Sequence, residues 1–488
     1  MVAGSVLLAL GVLVAGFAQP GGYETREVQR PVAYGDPIIR EDFERCEPDG
    51  AVVLDQREPG KWVLRTKDWP SPLLNAVGQP PDITYDPQLT GDYDIYLGTR
   101  ATDFPVSVGL KLASEDEFTI ITCPRGTKTV HHDWEFCFRR GVSMDGEKII
   151  IHFLGAAVYI DYLKFVPITR ATTTARVATD HVVVASEEGK HFAFPGLAKL
   201  VDGRLAVVFR EGTAHVDPSG SVAMCVSRDG GRTWAPRRTI YDNPDVDERD
   251  PGIWQHSDGA LVVSMASAGA RTMRSQDGGQ TWDGPSPAPV FSPHGTAELP
   301  DGRLYWCGIT TKMGINHVRI AASGDLGRSW DIHSTVAMSL PYHRPWVREF
   351  WDEPRALPLA NSRWLCLLRV DRDGYLYQTA SSDGGTTFGT PKRTPLWGCP
   401  PFVLPLADGR LVALYGHRRD PWGIRACVSE DQGATWDIDS EIILRDDGGH
   451  GDLGYPVAIE IEPGLVLAVY YHNHGGPECT IEGTFFRP

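Results

Sequence analysis

At 488 residues the chain is about three times a common domain length, so two domains are expected, and 42% hydrophobic with 23% charged residues excludes wholesale disorder, a coiled coil and a polytopic membrane protein. The charge balance, 47 − 63 = −16, repels polyanions and excludes nucleic acid as a partner, although a local cationic pocket is compatible with it. Glycine and proline together number 52 + 37 = 89 and are accompanied by 14 tryptophans, a composition of short strands joined by tight turns, so the fold class read from it is all-β.

In chain order, Val2 to Ala18 is an apolar stretch closing on Gly16-Phe17-Ala18, with small residues at the −3 and −1 positions of a cleavage point before Gln19. Residues 1–18 are therefore expected to be a signal peptide and the protein to be secreted, extracellular or periplasmic, with no stable membrane span after cleavage. Residues 36–168 then show strand-like segments at Trp62 to Arg65, Val106 to Leu112, Phe118 to Thr122, Lys148 to Phe153 and Val158 to Val166. They read as a β-sandwich or jelly roll, either carbohydrate-binding or purely structural, and Ala171 to Ala175 reads as a linker. The nine cysteines form no CxxC pair and no Cys/His cluster at zinc spacing, so neither a metal nor a cofactor is expected; only Cys123 and Cys137 suggest a disulfide.

From residue 177 onward one pattern recurs five times, Ser-x-Asp-x-Gly-x-(Thr/Ser)-(Trp/Phe), at Ser227, Ser275, Ser323, Ser381 and Ser429. Its aspartates, Asp229, Asp277, Asp325, Asp383 and Asp431, are 48, 48, 58 and 48 residues apart, the period of a propeller blade of four strands. The Asp carboxylate can accept from turn amides, the glycine supplies positive φ, and the aromatic packs into the seam, so these repeats are structural turns. A second series of turns, at Gly203, Gly259, Gly302, Ser362, Gly409 and Gly464, precedes apolar runs suited to strands buried on both faces. Six such turns predict a six-bladed β-propeller over 177–488, and His181 to Ala185 is the expected outer strand of blade six, removing its exposed edge.

These boxes resemble those of the sialidase superfamily of six-bladed propellers, over nearly the whole carboxy-terminal two-thirds. The resemblance implies a funnel with a Tyr nucleophile, a Glu that takes its proton, an Asp general acid and three arginines that grip a carboxylate. By blade order Tyr455, Glu353, Arg369 and Asp217 correspond to the Tyr, the Glu, the second arginine and the acid. Where the family has Phe-Arg-Ile-Pro this chain reads Phe192-Ala193-Phe194-Pro195, so the first arginine is missing and the resemblance leaves the sugar open.

Propeller geometry selects an overlapping set unaided, because loops entering each first strand and leaving each second strand share one mouth. Those loops hold Arg210, His215, Arg249, Asp250, His294, His343, Arg369, His417, Arg418 and His450, a charged rim suited to a glycan with a charged substituent. The candidate catalytic residues are thus Tyr455, Glu353, Asp217 and Asp250. The candidate binding residues are Arg210, Arg249, Arg369, Arg418, His215, His343, His417 and His450. His472 and His474 fall on one side of a strand end without requiring an ion. The activity expected is that of an exo-acting glycoside hydrolase on an oligo- or polysaccharide, acidic in its best-fitting form. A polysaccharide lyase on uronate-containing glycans and a non-catalytic glycan-binding propeller are the alternatives. A Tyr455 hydroxyl beyond hydrogen-bond reach of Glu353 would favour the last.

Overall fold

The computed structural model describes residues 20–34, 39–42, 52–58, 61–66, 82–100, 106–123, 133–154, 160–312, 315–339, 351–370, 374–419 and 421–488. The expected signal peptide, the 340–350 segment with His343, and the side chains of Cys123 and Cys137 lie outside the described set.

Residues 180–488 form six four-stranded antiparallel blades, with inner strands beginning at His191, Arg249, Ala297, Trp351, Pro401 and Gly454. The second strand of each blade is apolar nearly throughout and buried on both faces, as in Leu205–Gly212, Leu411–His417 and Leu465–Asn473. Asp180–Ala185 pairs antiparallel with Cys479–Phe486 as the outer strand of blade six, closing the ring with a segment from before blade one. Among the described residues no helix is long and apolar enough to cross a membrane.

The five boxes make one turn. In blade one, Asp229 Oδ1 accepts from the amides of Arg232 (3.1 Å) and Thr233 (2.9 Å), and Ser227 Oγ accepts from the Gly231 amide (2.8 Å). Bonds from the Thr233 hydroxyl and amide hold Asp229 down at about 2, so it is an anion throughout the working range.

Four inner strands share a second local device. In blades one, two, four and six the pairing register slips between Ala193 and Gly196, Arg249 and Gly252, Asp352 and Arg355, and Gly454 and Val457, so that two residues oppose one. The first bulged residue has positive φ in each case: Phe194 (57°), Asp250 (51°), Glu353 (38°) and Tyr455 (51°). The second is always proline, Pro195, Pro251, Pro354 or Pro456, which brings no N–H to leave unpaired inside the bulge. Just beyond, Gly196, Gly252 and Gly295 let neighbouring inner strands approach closely: a Cβ on Gly252 would stand 2.5 Å from the Gly295 Cα.

Ahead of the propeller, Asp92–Arg100 lies between Asp133–Ser143 and Ile160–Ala178, facing a second sheet of Ile83–Tyr85, Ile149–Leu154, Val106–Leu112 and Thr119–Cys123. Residues at period two, Ile95 and Leu97, Val108 and Leu110, Ile149 and Ile151, Leu163 and Phe165, fill the space between the sheets. The expected linker at Ala171 to Ala175 is instead internal to Ile160–Ala178. That strand pairs with Tyr23–Tyr34 on one edge and in parallel with blade five at Ile442 and Ile443 on the other. The threonine run that resembles a spacer is β-branched, and paired along one edge with Gln29 to Glu27 it propagates as strand.

Because the box aspartates serve turns remote from the mouth, Asp431→Ala is expected to lower the melting temperature by a few degrees. Ligand affinity should be unchanged, a separation that calorimetry and glycan titration of the same preparation would check.

Candidate active site

The bulges aim their first residue at the hub. Tyr455 is buried there, its hydroxyl donating to Glu353 Oε1, while Arg369 Nη1 donates to Glu353 Oε2 at 2.6 Å. The hydroxyl–carboxylate contact that sequence geometry made the discriminator is therefore present. Phe194 packs on the Tyr455 ring at 4.7 Å between centroids, Tyr471 at 5.8 Å, and the Arg418 guanidinium lies 5.4 Å over it. Burial, and then the nearby Glu353 and Asp250 charges, raise the Tyr455 phenol well above its usual 10, so it rests protonated with its hydroxyl directed at Glu353.

Asp250 is a buried carboxyl on the neighbouring bulge of blade two. Burial first, and Glu353 next, push it up to about 7, and its Oδ1 has no partner among the described residues. A carboxylic acid protonated at neutral pH, beside a Tyr–carboxylate pair, has the state a general acid needs. Asp217 does not. Its carboxylate accepts from the Thr213 amide and hydroxyl (2.7 Å each) and from the Ser219 amide (2.9 Å) and hydroxyl (2.8 Å). These donors, Thr213 foremost, hold it far below the carboxylate range, so it closes a surface turn and has no proton to give.

The arginines separate in the same way. Arg210 and Arg369 occupy equivalent positions, paired with Ala193 and Asp352. Yet Arg210 is fully buried and taken up by Asp247 Oδ1 (2.6 Å) and the Ala214 carbonyl (2.8 Å), so it builds the loop rather than facing a ligand. Arg249 stacks on Phe194 at 4.7 Å and donates to the His215 carbonyl and to Asp247 Oδ2 (3.2 Å). Arg418 donates to the Leu453 carbonyl (2.9 Å) and the Tyr471 hydroxyl (3.0 Å), both neutral, so among the described residues this cation hydrogen-bonds no carboxylate.

Of the candidate histidines, His417 is buried between the Pro421 carbonyl (3.0 Å) and Arg419 Nε (3.2 Å), shaping the loop that carries Arg418 instead of binding a ligand. His450 accepts from the Asp452 amide (3.0 Å) at the exposed rim, its ring 6.4 Å from Trp422. His215 bonds Asp452 Oδ1 (2.9 Å) with its edge toward Phe194. His294 is buried at the mouth of blade three and kept neutral by burial, which lowers it to about 3. Sequence reasoning passed over Phe194, His191, Asp452 and Tyr471 as site residues. The recurring residue–proline pair on the inner strands would have found Phe194, and Tyr471 shares the second-strand position of Arg210 and Arg369.

Fold and site together define a six-bladed propeller whose hub gathers a tyrosine, two carboxyls and arginines from separate blades. Residues 262–467 match the family described as BNR repeat-like domain. Over those residues the chain is similar to BNR-repeat propellers. A protein of unknown function from Dyadobacter fermentans is 27% identical with a TM-score of 0.57, over 63% of this chain and 97% of that one. The Hadza microbial sialidase Hz136 is 16% identical with a TM-score of 0.51, over 83% of this chain and 95% of that one, a likeness of fold. No curated protein matches the chain.

Folded Asp250 keeps its proton to about pH 7, whereas an unfolded aspartate releases it near 3.9, so stability declines as pH rises through that window. Asp250→Asn is expected to melt above wild type at pH 8, with the difference shrinking toward pH 5, as thermal scans across pH would read.

Proposed function

We propose that the protein is a secreted, exo-acting, retaining glycoside hydrolase whose substrate carries an acidic group next to the scissile bond. The observation that carries this reading is the Tyr455–Glu353–Arg369 chain of hydrogen bonds at the hub, with the neutral carboxyl of Asp250 beside it. Tyr455 attacks the anomeric carbon as Glu353 takes the phenolic proton, and Asp250 protonates the leaving oxygen. In the second step the Asp250 carboxylate takes a proton from the water that displaces Tyr455, and Glu353 returns its proton to the departing phenolate, restoring all three groups. A neutral tyrosine suits this role better than a second carboxylate, which an anionic sugar would repel.

The acidic substituent is argued from Arg418. A cation next to the nucleophile with only neutral oxygens as partners is costly to keep, and an anionic substrate supplies the missing charge. Of these arginines Arg369 is engaged by Glu353 and Arg249 by Asp247, and among the described residues Arg418 is the hub arginine that meets it. The sialidase activity named for the Hadza protein supports glycan hydrolysis as the class of reaction. Ala193, where the resemblance calls for an arginine, favours a different acidic sugar. Export rests on the apolar stretch from Val2 to Ala18.

Aryl glycosides with and without a carboxylate are the test. Tyr455→Phe should abolish turnover, and a fluorinated substrate should leave a glycosyl adduct on Tyr455 in peptide mass spectra. Arg418→Met should lower kcat/KM by about 10- to 100-fold for the carboxylated substrate alone. Asp250→Asn should cost about 10²- to 10⁴-fold, less with good phenolic leaving groups, and remove an alkaline limb near pH 7. Unsaturated product absorbing in the ultraviolet, with no adduct, would mark elimination on a uronate instead and overturn the hydrolytic reading.

A further inference from the structure

Beside the hub a second group of donors converges from three distant parts of the chain. Asp452, in the loop entering blade six, sets Oδ2 at 2.9 Å from His191 Nε2 and Oδ1 at 2.9 Å from His215 Nδ1. His191 opens the inner strand of blade one and His215 lies in the loop leaving its second strand. The three ligand atoms lie within 4.8 Å of one another. From this convergence we propose that His191, His215 and Asp452 form a binding site for a transition-metal dication of the zinc class.

The donor set favours such an ion over calcium or magnesium, since two imidazoles and one carboxylate are borderline ligands and the alkaline earths demand oxygen. Its dimensions fit. Bonds of about 2.0–2.1 Å in a tetrahedral site hold donor atoms about 3.3 Å apart, so the two 2.9 Å contacts, one to each Asp452 oxygen, open slightly while the widest spacing, within 4.8 Å, closes around the ion. Graded exposure fits as well: the His191 side chain is 2% exposed, Asp452 20% and His215 45%, a preordered wall with one side open to water or substrate. Tyr471 donates to Asp452 Oδ1 at 2.8 Å, fixing the carboxylate from behind.

Proton bookkeeping decides what metal binding displaces. Without an ion each imidazole donates one N–H to Asp452, and His215 Nε2 accepts from Arg249 Nη2 at 3.3 Å. Metal on Nδ1 moves the His215 proton to Nε2 and breaks that contact, the longest that Arg249 makes, while its bonds to the His215 carbonyl and Asp247 remain. His191 Nδ1 has no partner among the described residues, whichever tautomer is present, so turning Nε2 from donor to ligand forfeits no other bond. Phe194 lies between His215 and Tyr455, 5.5 Å from one ring and 4.7 Å from the other, so the ion would face the substrate cavity one ring away from the nucleophile.

Metal content and calorimetry test this independently of any hydrolysis. Full-length protein stripped with chelator and titrated with zinc chloride is expected to bind one equivalent and retain it through gel filtration, whereas calcium does not compete. His215→Ala removes an exposed ligand without opening the core, and Asp452→Asn keeps the shape; each should weaken zinc binding by about 100-fold or more, beyond what loss of an outer-sphere partner costs. Equal zinc binding by wild type and His215→Ala, or none by wild type, would overturn the site and leave a hydrogen-bonded cluster.

Discussion

The hub is built by one backbone device: an L-residue forced to positive φ and followed by proline, repeated on four inner strands. A regular strand would point alternate side chains into the neighbouring blades. The two-for-one bulge breaks that alternation at the mouth and turns Phe194, Asp250, Glu353 and Tyr455 toward the axis. Such conformations cost on the order of 1–3 kcal/mol each and persist only where surrounding structure over-determines them. Here the closed ring of blades and the buried second strands supply that constraint, and three of the four residues carry the chemistry assigned to the site.

Electrostatics then sort residues of one chemical type into different roles. Asp217 and Asp250 are both aspartates at the mouth, but one sits in a basket of four donors and the other in a dry pocket next to a carboxylate. Arg210 and Arg369 hold equivalent strand positions, and the presence of Asp247 within reach of one makes it scaffold. Arg418 differs from both because its partners carry no charge.

The wheel was legible because its signals are local. Each box is a self-contained turn, and its 48-residue spacing reports the blade directly. The strands of the amino-terminal sheets were legible for the same reason, from period-two runs such as Val106–Leu112. Individual site roles were less so. Blade order alone brought Tyr455 and Glu353 forward, but nothing near Arg210 in sequence announces Asp247, 37 residues on. The His191, His215 and Asp452 group spans up to 261 residues and is joined only by ring closure, which no spacing rule reads. Ala171 to Ala175 misled because a threonine run looks the same in a spacer and in a strand until a distant segment, here Tyr23–Tyr34, pairs along it.

That unbroken strand, Ile160–Ala178, changes what kind of molecule this is mechanically. A loose tether makes no ladder bonds, whereas this strand pairs with Asp92–Arg100 over Ile160–Ile168 and with blade five at Arg176 and Val177. The outer rim of blade five, the blade that bears Arg418, is thereby clamped.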